Sequence, residues 1–285
     1  MVFGIFAPKN SCDGTYDSLD VRFGKACDND CSFCIEKTGR KGSQIDVEEL
    51  INSTIDSGIK SVLIVGGEPF LHPVKLYEYV MGIRNHVDTI YITTSLPATL
   101  MSNRILVERV LTLVDGLNVS LQHYNWVTNN DVLKASSRHN RISILEHLCS
   151  SGYASKIRVS INLVKGMIDS RDELRLFLHR MQAIGVLHVK INELQSSDEY
   201  VSYEKMMGRN LPSPFYHGCQ TDITFPGIFM RLTLKRSCFL VEETAKASIM
   251  DLFKVIFRKY FIRKNNFKVL YEDGKLENTW LKINV

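Results

Sequence analysis

The chain has 285 residues, 45% hydrophobic and 23% charged, a globular composition that excludes disorder as its main state and suffices for one large domain or two modest ones. No apolar run approaches the roughly 18 residues of a membrane span, and the opening MVFGIFAPKNSCDG lacks the charged head and long apolar core of a signal peptide. A cytoplasmic location with no membrane partner is therefore expected. The formal charge of +4 is concentrated in residues 246–285, where nine Lys and Arg stand against four Asp and Glu, so the main body is not a basic nucleic-acid surface.

In chain order, β-rich runs at 19–23, 61–65, 89–94, 117–122, 157–164 and 187–192 predict strands. Helical patterns lie between them at 47–57, 74–85, 104–113, 142–150 and 170–184. Asp46 before Val47-Glu48-Glu49, and Asp169-Ser170 before Arg171-Asp172-Glu173, are helix start signals. Past residue 195 the periodicity changes. An apolar strand is expected over 228–234, then a helix carrying Ile249, Leu252, Phe253, Ile256 and Tyr260, then a hairpin over 268–280 turning at Glu272-Asp273-Gly274. The expected division is residues 1–197 as a barrel domain and 198–285 as a cap or extension.

Strands alternating with helices at this spacing make a parallel sheet, because parallel neighbours need a crossover of a dozen or more residues. Six such units predict an α/β fold, a partial (β/α)6 barrel with a C-terminal α+β cap or extension. The strands also alternate internally. Leu117, Val119 and Leu121 oppose Asn118, Ser120 and Gln122; Ile157, Val159, Ile161 and Leu163 oppose Arg158, Ser160 and Asn162; Leu187, Val189 and Ile191 oppose His188, Lys190 and Asn192. The first strand sets Leu19, Val21 and Phe23 against Asp20 and Arg22. Helices cover the apolar faces, so the polar set points into the barrel, where unpaired groups would cost several kcal/mol each. A polar ligand in the lumen is the expected remedy.

Seven cysteines, an odd number, argue against a disulfide framework. Three of them, Cys27, Cys31 and Cys34, are spaced Cys-x-x-x-Cys-x-x-Cys in the loop after the first strand. Thiolates suit zinc or iron–sulfur clusters. A structural zinc site would want a fourth ligand at similar short range, and no second paired spacing supplies one. A [4Fe–4S] cluster normally takes four Cys, so three local ligands leave one iron open.

This motif, with Phe33 before its last Cys, resembles the cluster motif of the radical S-adenosylmethionine (radical SAM) superfamily. Gly66-Gly67-Glu68-Pro69, directly after the second strand, is similar to that superfamily's GGEP motif. A looser resemblance, covering about residues 18–196, runs to its molybdenum-cofactor and peptide-modifying branch. It is carried by Thr93-Thr94-Ser95, Asn118 to Gln122, Ile161-Asn162 and Asn192-Glu193-Leu194, with Gln122 standing where relatives often have Asp.

The resemblance implies a [4Fe–4S] cluster on Cys27, Cys31 and Cys34 whose open iron chelates S-adenosylmethionine. One electron to the sulfonium then gives methionine and a 5′-deoxyadenosyl radical, which abstracts hydrogen from substrate. A reducing partner such as flavodoxin or ferredoxin follows. Phe33, Gly66, Gly67, Glu68 and Pro69 are the cofactor-binding candidates it names. Beside it, the residues themselves suggest that Gly66 and Gly67 admit close backbone approach, that Glu68 accepts from an ammonium, and that inward Ser120 and Thr93 bind ribose hydroxyls. Inward Arg158 is suited to a carboxylate.

On the substrate side, Lys190, His188, Gln122 and Glu193 are the catalytic candidates, with Asn192, because parallel-barrel sites gather at the carboxyl ends of strands. His123, Tyr124 and Trp126 could stack on a ring. Cys219 and Cys238, with Cys12 or Cys149, are the candidates for a second cluster, which the sparse C-terminal cysteines disfavour. A small-molecule or nucleotide-type substrate is favoured over a ribosomal peptide or an RNA. A non-enzymatic iron–sulfur or zinc protein is the alternative class, and it has no use for Gly66 to Pro69 or a polar lumen.

Overall fold

The structure is a computed structural model that describes residues 18–34, 42–194, 199–208, 220–236 and 267–277. Cys12, Cys219, Cys238 and the helix expected over 249–260 lie outside the described residues.

Six parallel strands follow one another in sequence and in space: β1 (Ser18–Arg22), β2 (Ser61–Val65), β3 (Thr89–Thr94), β4 (Gly116–Ser120), β5 (Ile157–Leu163) and β6 (His188–Glu193). Helices α1 (Val47–Asp56), α2 (Pro73–Ile83), α3 (Thr99–Ser102), α4 (Arg104–Leu113), α5 (Trp126–Leu133), α6 (Arg141–Leu148) and α7 (Arg171–Ile184) fill the crossovers. A short helix, α8 (Tyr203–Met207), leads to β7 (Gln220–Ile223) and β8 (Arg231–Lys235). β8 adds parallel to β6, and β7 pairs antiparallel on its outer side. At the other edge β9 (Phe267–Leu270) adds parallel to β1, and β10 (Leu276–Glu277) closes a hairpin on it. The result is one sheet, β10-β9-β1-β2-β3-β4-β5-β6-β8-β7, curved as a partial barrel and not closed.

The helix ends follow their local chemistry. Asp46 accepts from the Glu49 amide at 3.1 Å to cap α1, and Ser170 accepts from the Glu173 amide at 3.2 Å to cap α7. Gly185, at φ +91°, ends α7 in the left-handed conformation. The apolar strand faces (Leu19, Val21, Val62, Ile64, Ile90, Ile92, Val119, Val159, Ile161, Val189, Ile191) and the inner stripes of the helices (Leu50, Leu76, Tyr79, Val110, Phe177, Met181) form one continuous core. Two expectations are corrected. Leu187 precedes β6 and is 49% exposed, so it does not belong to the apolar face of that strand. The strand expected to begin at 228 begins at Arg231, because Phe225 to Met230 form the turn between β7 and β8, with Phe229 91% exposed at its tip.

Candidate active site

The carboxyl ends of β1 and β2 bring the cysteine loop and Gly66 to Pro69 to one mouth, whereas His188 opens β6 and Arg158 is the second residue of β5, so these two lie at the opposite, amino ends of their strands and not at the carboxyl ends where they were expected. Cys27, Cys31 and Cys34 lie in the loop leaving β1, with a tight turn in which the Cys34 amide donates to the Cys31 carbonyl at 3.3 Å. Gly66 to Pro69 leave the neighbouring β2, and the two segments are zipped together. The Gly67 amide donates to the Gly24 carbonyl at 2.9 Å, and the Glu68 amide to the Ala26 carbonyl at 2.8 Å. A Cβ at Gly67 would stand 2.0 Å from the Ala26 oxygen, and one at Gly66, whose φ is +123°, 2.6 Å from the Gly24 oxygen. The close approach the glycines allow is thus to the cysteine loop's own backbone.

Glu68 is fully engaged. Its Oε1 accepts from Thr94 Oγ1 at 2.8 Å and the Phe70 amide at 3.2 Å, and its Oε2 from the Ser95 amide at 2.7 Å and Ser95 Oγ at 2.8 Å. Four donors favour the carboxylate, yet burial outweighs them and pushes its pKa up to about 7. Glu68 therefore knits the end of β2 to the end of β3, where an ammonium acceptor had been expected. Pro69 follows as the first residue of a single 3-10 turn, Pro69–Leu71.

Beneath the cysteine loop lies a network with Arg141 at its centre, fully buried. Its Nε donates to the Ser95 carbonyl at 2.9 Å, its Nη2 to Asp28 Oδ2 at 2.8 Å and Asn29 Oδ1 at 3.0 Å, and its Nη1 to Asn130 Oδ1. Asn29 Nδ2 donates in turn to Ser95 Oγ at 2.8 Å. The Asp30 amide donates to the Leu133 carbonyl at 2.9 Å, and the Ser136 amide to the Asp28 carbonyl at 2.8 Å. Asp28, Asn29, Asn130 and Arg141 are the site residues to which sequence reasoning gave no role, and Thr94 and Ser95 entered it only as part of the looser resemblance. The signal was a run of Asp28, Asn29 and Asp30 between two cysteines, too many short polar side chains for a solvated loop without buried partners.

The other expected residues divide by depth. Ser120 Oγ accepts from Gln122 Nε2 at 3.1 Å, and Gln122 Oε1 accepts from the Asn162 amide at 3.0 Å, so Gln122 bridges the ends of β4 and β5. Glu193 is buried and accepts from the Tyr203 amide at 2.8 Å, anchoring α8. His188 is buried with Nε2 at 2.8 Å from Thr233 Oγ1, and that hydroxyl donates to Asp222 Oδ1 at 3.1 Å. Burial first, then Arg158 and Arg231, pushes the His188 pKa down to about 3, so it is a neutral imidazole. Thr93, Arg158, Lys190 and Asn192 keep partial accessibility on the inner face. His123 and Tyr124 stack on each other at 4.3 Å, and Trp126 opens α5 half-exposed.

The fit of an iron–sulfur cluster rests on the donor set, three soft thiols within eight residues at accessible positions: Cys27 exposed, Cys31 and Cys34 partly so. The thiols do not converge in this arrangement, and among the described residues no three His, Cys, Asp or Glu stand together as a metal site. Cys31 Sγ donates to the Leu133 carbonyl at 3.6 Å, and Cys27 Sγ accepts from Asn29 Nδ2 at 3.8 Å. Ligation by these thiols must release their protons, because the thiolate is the ligand form. The chemistry of the donor set fits such a cluster.

The family model of the Radical SAM superfamily matches residues 21–181, from β1 through most of α7. The chain belongs to the radical SAM superfamily. Among radical SAM relatives, a protein of Chlorobaculum tepidum named GTP 3′,8-cyclase is 26% identical over 205 residues, 65% of this chain and 56% of that one. A GTP 3′,8-cyclase of Lactiplantibacillus plantarum is 29% identical over 182 residues, 60% of this chain and 52% of that one. The chain thus spans about half the length of the curated relatives it matches. In fold it is similar to Streptococcus suis SuiB, solved bound to S-adenosylmethionine, with a TM-score of 0.62 at 15% identity over 95% of this chain and 62% of that one. Among the described residues no helix is long and apolar enough to cross a membrane.

Proposed function

We propose that this chain is a radical SAM enzyme acting on a small, polar, nucleotide-type or related metabolite held in the barrel lumen. The observation that carries the reading is the backbone zipper between Gly24 to Ala26 and Gly67 to Glu68, which unites both superfamily motifs at one mouth. Cys27, Cys31 and Cys34 would hold a [4Fe–4S] cluster, with Phe33 in the same loop. Such a cluster, with S-adenosylmethionine bound, would supply one-electron reduction of the sulfonium and hence radical abstraction of a hydrogen atom from substrate. Glu68 and Arg141 fix the loop, and Thr93 and Ser120 face the space where a ribose would lie. Gln122 and Glu193 shape the rim, while His188 and Lys190 line the chamber below it.

The GTP 3′,8-cyclase relatives support a small-molecule substrate over a peptide or RNA. Residues 1–197 would carry the cofactor chemistry, and 198–285 would complete the sheet. The odd number of cysteines suits a reducing cytoplasm, where a flavodoxin or ferredoxin would be the electron donor. The test is anaerobic reconstitution with iron and sulfide, reduction with dithionite, and mass spectrometry for 5′-deoxyadenosine beside Cys31→Ala. Product that vanishes in the variant is the expected result. A protein that holds no cluster and binds no S-adenosylmethionine would sink the reading.

A further inference from the structure

Asn29 stands between Cys27 and Cys31 and is held from two sides. Its Oδ1 accepts from Arg141 Nη2 at 3.0 Å, and its Nδ2 donates to Ser95 Oγ at 2.8 Å. Both partners are fixed in turn. Arg141 is fully buried with its Nε on the Ser95 carbonyl at 2.9 Å, and Ser95 Oγ donates to Glu68 Oε2 at 2.8 Å. A hydroxyl has one hydrogen, and that of Ser95 is given to Glu68, so toward Asn29 it can only accept; a guanidinium can only donate. The two neighbours therefore decide which end of the amide is which, oxygen toward Arg141 and nitrogen toward Ser95.

That nitrogen carries a second hydrogen, and two acceptors face it: Asp28 Oδ1 at 3.1 Å and Cys27 Sγ at 3.8 Å, a separation that the larger radius of sulfur permits. The Asn29 backbone amide donates to the same sulfur. Asp28 is already served, because Arg141 Nη2 binds its other oxygen at 2.8 Å. With a thiol at Cys27 the sulfur is the weaker of the two acceptors. As a thiolate ligand it carries charge and competes for the shared hydrogen. The contact is one that strengthens as negative charge builds on the sulfur.

Pinning the loop does not require it. Arg141 and Ser95 hold Asn29 without Cys27, and Arg141 holds Asp28 as well. A further tie runs from Ser32 Oγ to both oxygens of Glu199, at 2.9 and 3.1 Å, and uses no cysteine sulfur. What the Nδ2 hydrogen adds is a fixed donor aimed at the atom that would bind iron, and hydrogen bonds to ligating sulfurs are one of the levers by which a protein sets a cluster's potential.

We propose that Asn29, acting through Cys27, raises the reduction potential of the cluster by donating its Nδ2 hydrogen to the Cys27 sulfur. This rests on the reading of Cys27, Cys31 and Cys34 as ligands of a [4Fe–4S] cluster. Reduction adds one electron, from a flavodoxin- or ferredoxin-class donor or from a chemical reductant in vitro, and exchanges no proton. The added charge is shared by the ligating sulfurs, so an N–H aimed at one of them stabilises the reduced form more than the oxidised form. Asn29 is a positioning residue in this role, and Ser95 and Arg141 keep its donor in place.

The test is a redox titration, followed by electron paramagnetic resonance, of the full chain reconstituted anaerobically with iron and sulfide and without S-adenosylmethionine. At the potential where half of the wild-type clusters are reduced, the reduced-to-oxidised ratio in Asn29→Leu should be lower by about three- to tenfold, tenfold being about 59 mV for one electron. Asn29→Gln, which keeps the amide donor, should regain part of the difference. Ser32→Ala frees the same loop from Glu199 and should stay within about twofold of wild type. A second measurement needs no variant and decides the matter if Asn29→Leu fails to load: reduced wild type labelled with nitrogen-15 at its asparagine side chains should show a nitrogen-15 hyperfine coupling in pulsed spectra. An unmoved ratio in Asn29→Leu, an equal shift in Ser32→Ala, or no coupling in wild type would each overturn the proposal and leave the cluster reading intact. A wild-type chain that takes up no cluster would overturn both. None of these readouts needs radical chemistry, so absent 5′-deoxyadenosine would count against the enzyme reading alone.

Discussion

Arg141 Nη2 donates to Asp28 Oδ2 at 2.8 Å across 113 residues of sequence, and neither side chain is more than 9% exposed. This one pair joins the start of α6 to the loop that carries the cysteines, and the same guanidinium reaches the Ser95 carbonyl. Because all its bonds are made in a fixed fork, lysine is no substitute.

Arg141→Met leaves the Asp28 carboxylate and the Ser95 carbonyl without their partner. The expected cost is about 3–5 kcal/mol in urea unfolding, the range for breaking a buried pair. Arg141→Lys should recover only a small part of it. Iron bound per chain after reconstitution should fall in both variants; unchanged iron content would mean that the cysteine loop does not depend on this anchor.

Gly67→Ala tests the zipper. With the new Cβ only 2.0 Å from the Ala26 oxygen, the two strand ends must part. The Gly67→Ala chain should fold, because the sheet below is untouched, but hydrogen exchange at residues 67 and 68 should rise by a factor of ten or more. Iron retention should drop with it.

Glu68 sets one pH dependence. Its folded pKa of about 7 lies above the ordinary 4.5, so the folded state holds the proton more tightly. The stability it contributes is complete below about 4.5 and is lost as pH rises through 7, at up to roughly 1.4 kcal/mol per pH unit. Glu68→Gln should remove this slope from a plot of melting temperature between pH 4.5 and 7, while lowering stability throughout because an amide nitrogen now faces N–H and O–H donors.

His188 sets the opposite one. Its folded pKa of about 3 lies below the ordinary 6.5, so the unfolded chain takes up the proton first. The stability it contributes is complete above 6.5 and is lost as pH falls toward 3. His188→Gln should flatten the acid limb of the melting profile and make the protein relatively more resistant at pH 4 to 5. A His188→Gln profile parallel to that of wild type would show that the imidazole is charged in the fold.

Glu272 holds the C-terminal hairpin. Both its oxygens bind Arg22, at 2.6 and 2.8 Å, the Ser43 amide adds a bond at 2.6 Å, and Arg22 lies 4.5 Å from the Tyr271 ring centre. Glu272→Ala should cost about 3–5 kcal/mol, with faster exchange in β9. Arg22→Met combined with Glu272→Leu should restore much of the loss, since the double change removes both charges together.

The barrel was legible because its signal is local. Alternation such as Ile157, Arg158, Val159, Ser160 is a property of neighbouring residues, and β2 and β3 begin and end with their runs of β-branched residues. α5 escaped notice because it buries Asn129 and Asn130, whose amides serve the His123 and His139 segments and break the apolar period. Arg141 and Glu272 were opaque for another reason: the charged groups they pair with, Asp28 and Arg22, are over a hundred residues away, and nothing adjacent to either announces them. The cysteines were read from their spacing and Gly66 to Pro69 through resemblance, whereas the saturation of Glu68 by Thr94 and Ser95 could be seen only once β2 and β3 were side by side.

The pairing of β1 with β9 has a consequence for biosynthesis. Arg22 and Glu272 are 250 residues apart, so at about 5–20 residues per second the ribosome completes the partner some 12–50 s after β1 emerges. Throughout that interval the outer edge of β1 is bare and Arg22 has no carboxylate from the hairpin. The nascent chain thus presents its cysteine loop before the wall behind it exists, and any delivery of iron and sulfide during translation meets a different surface from the one the finished protein offers.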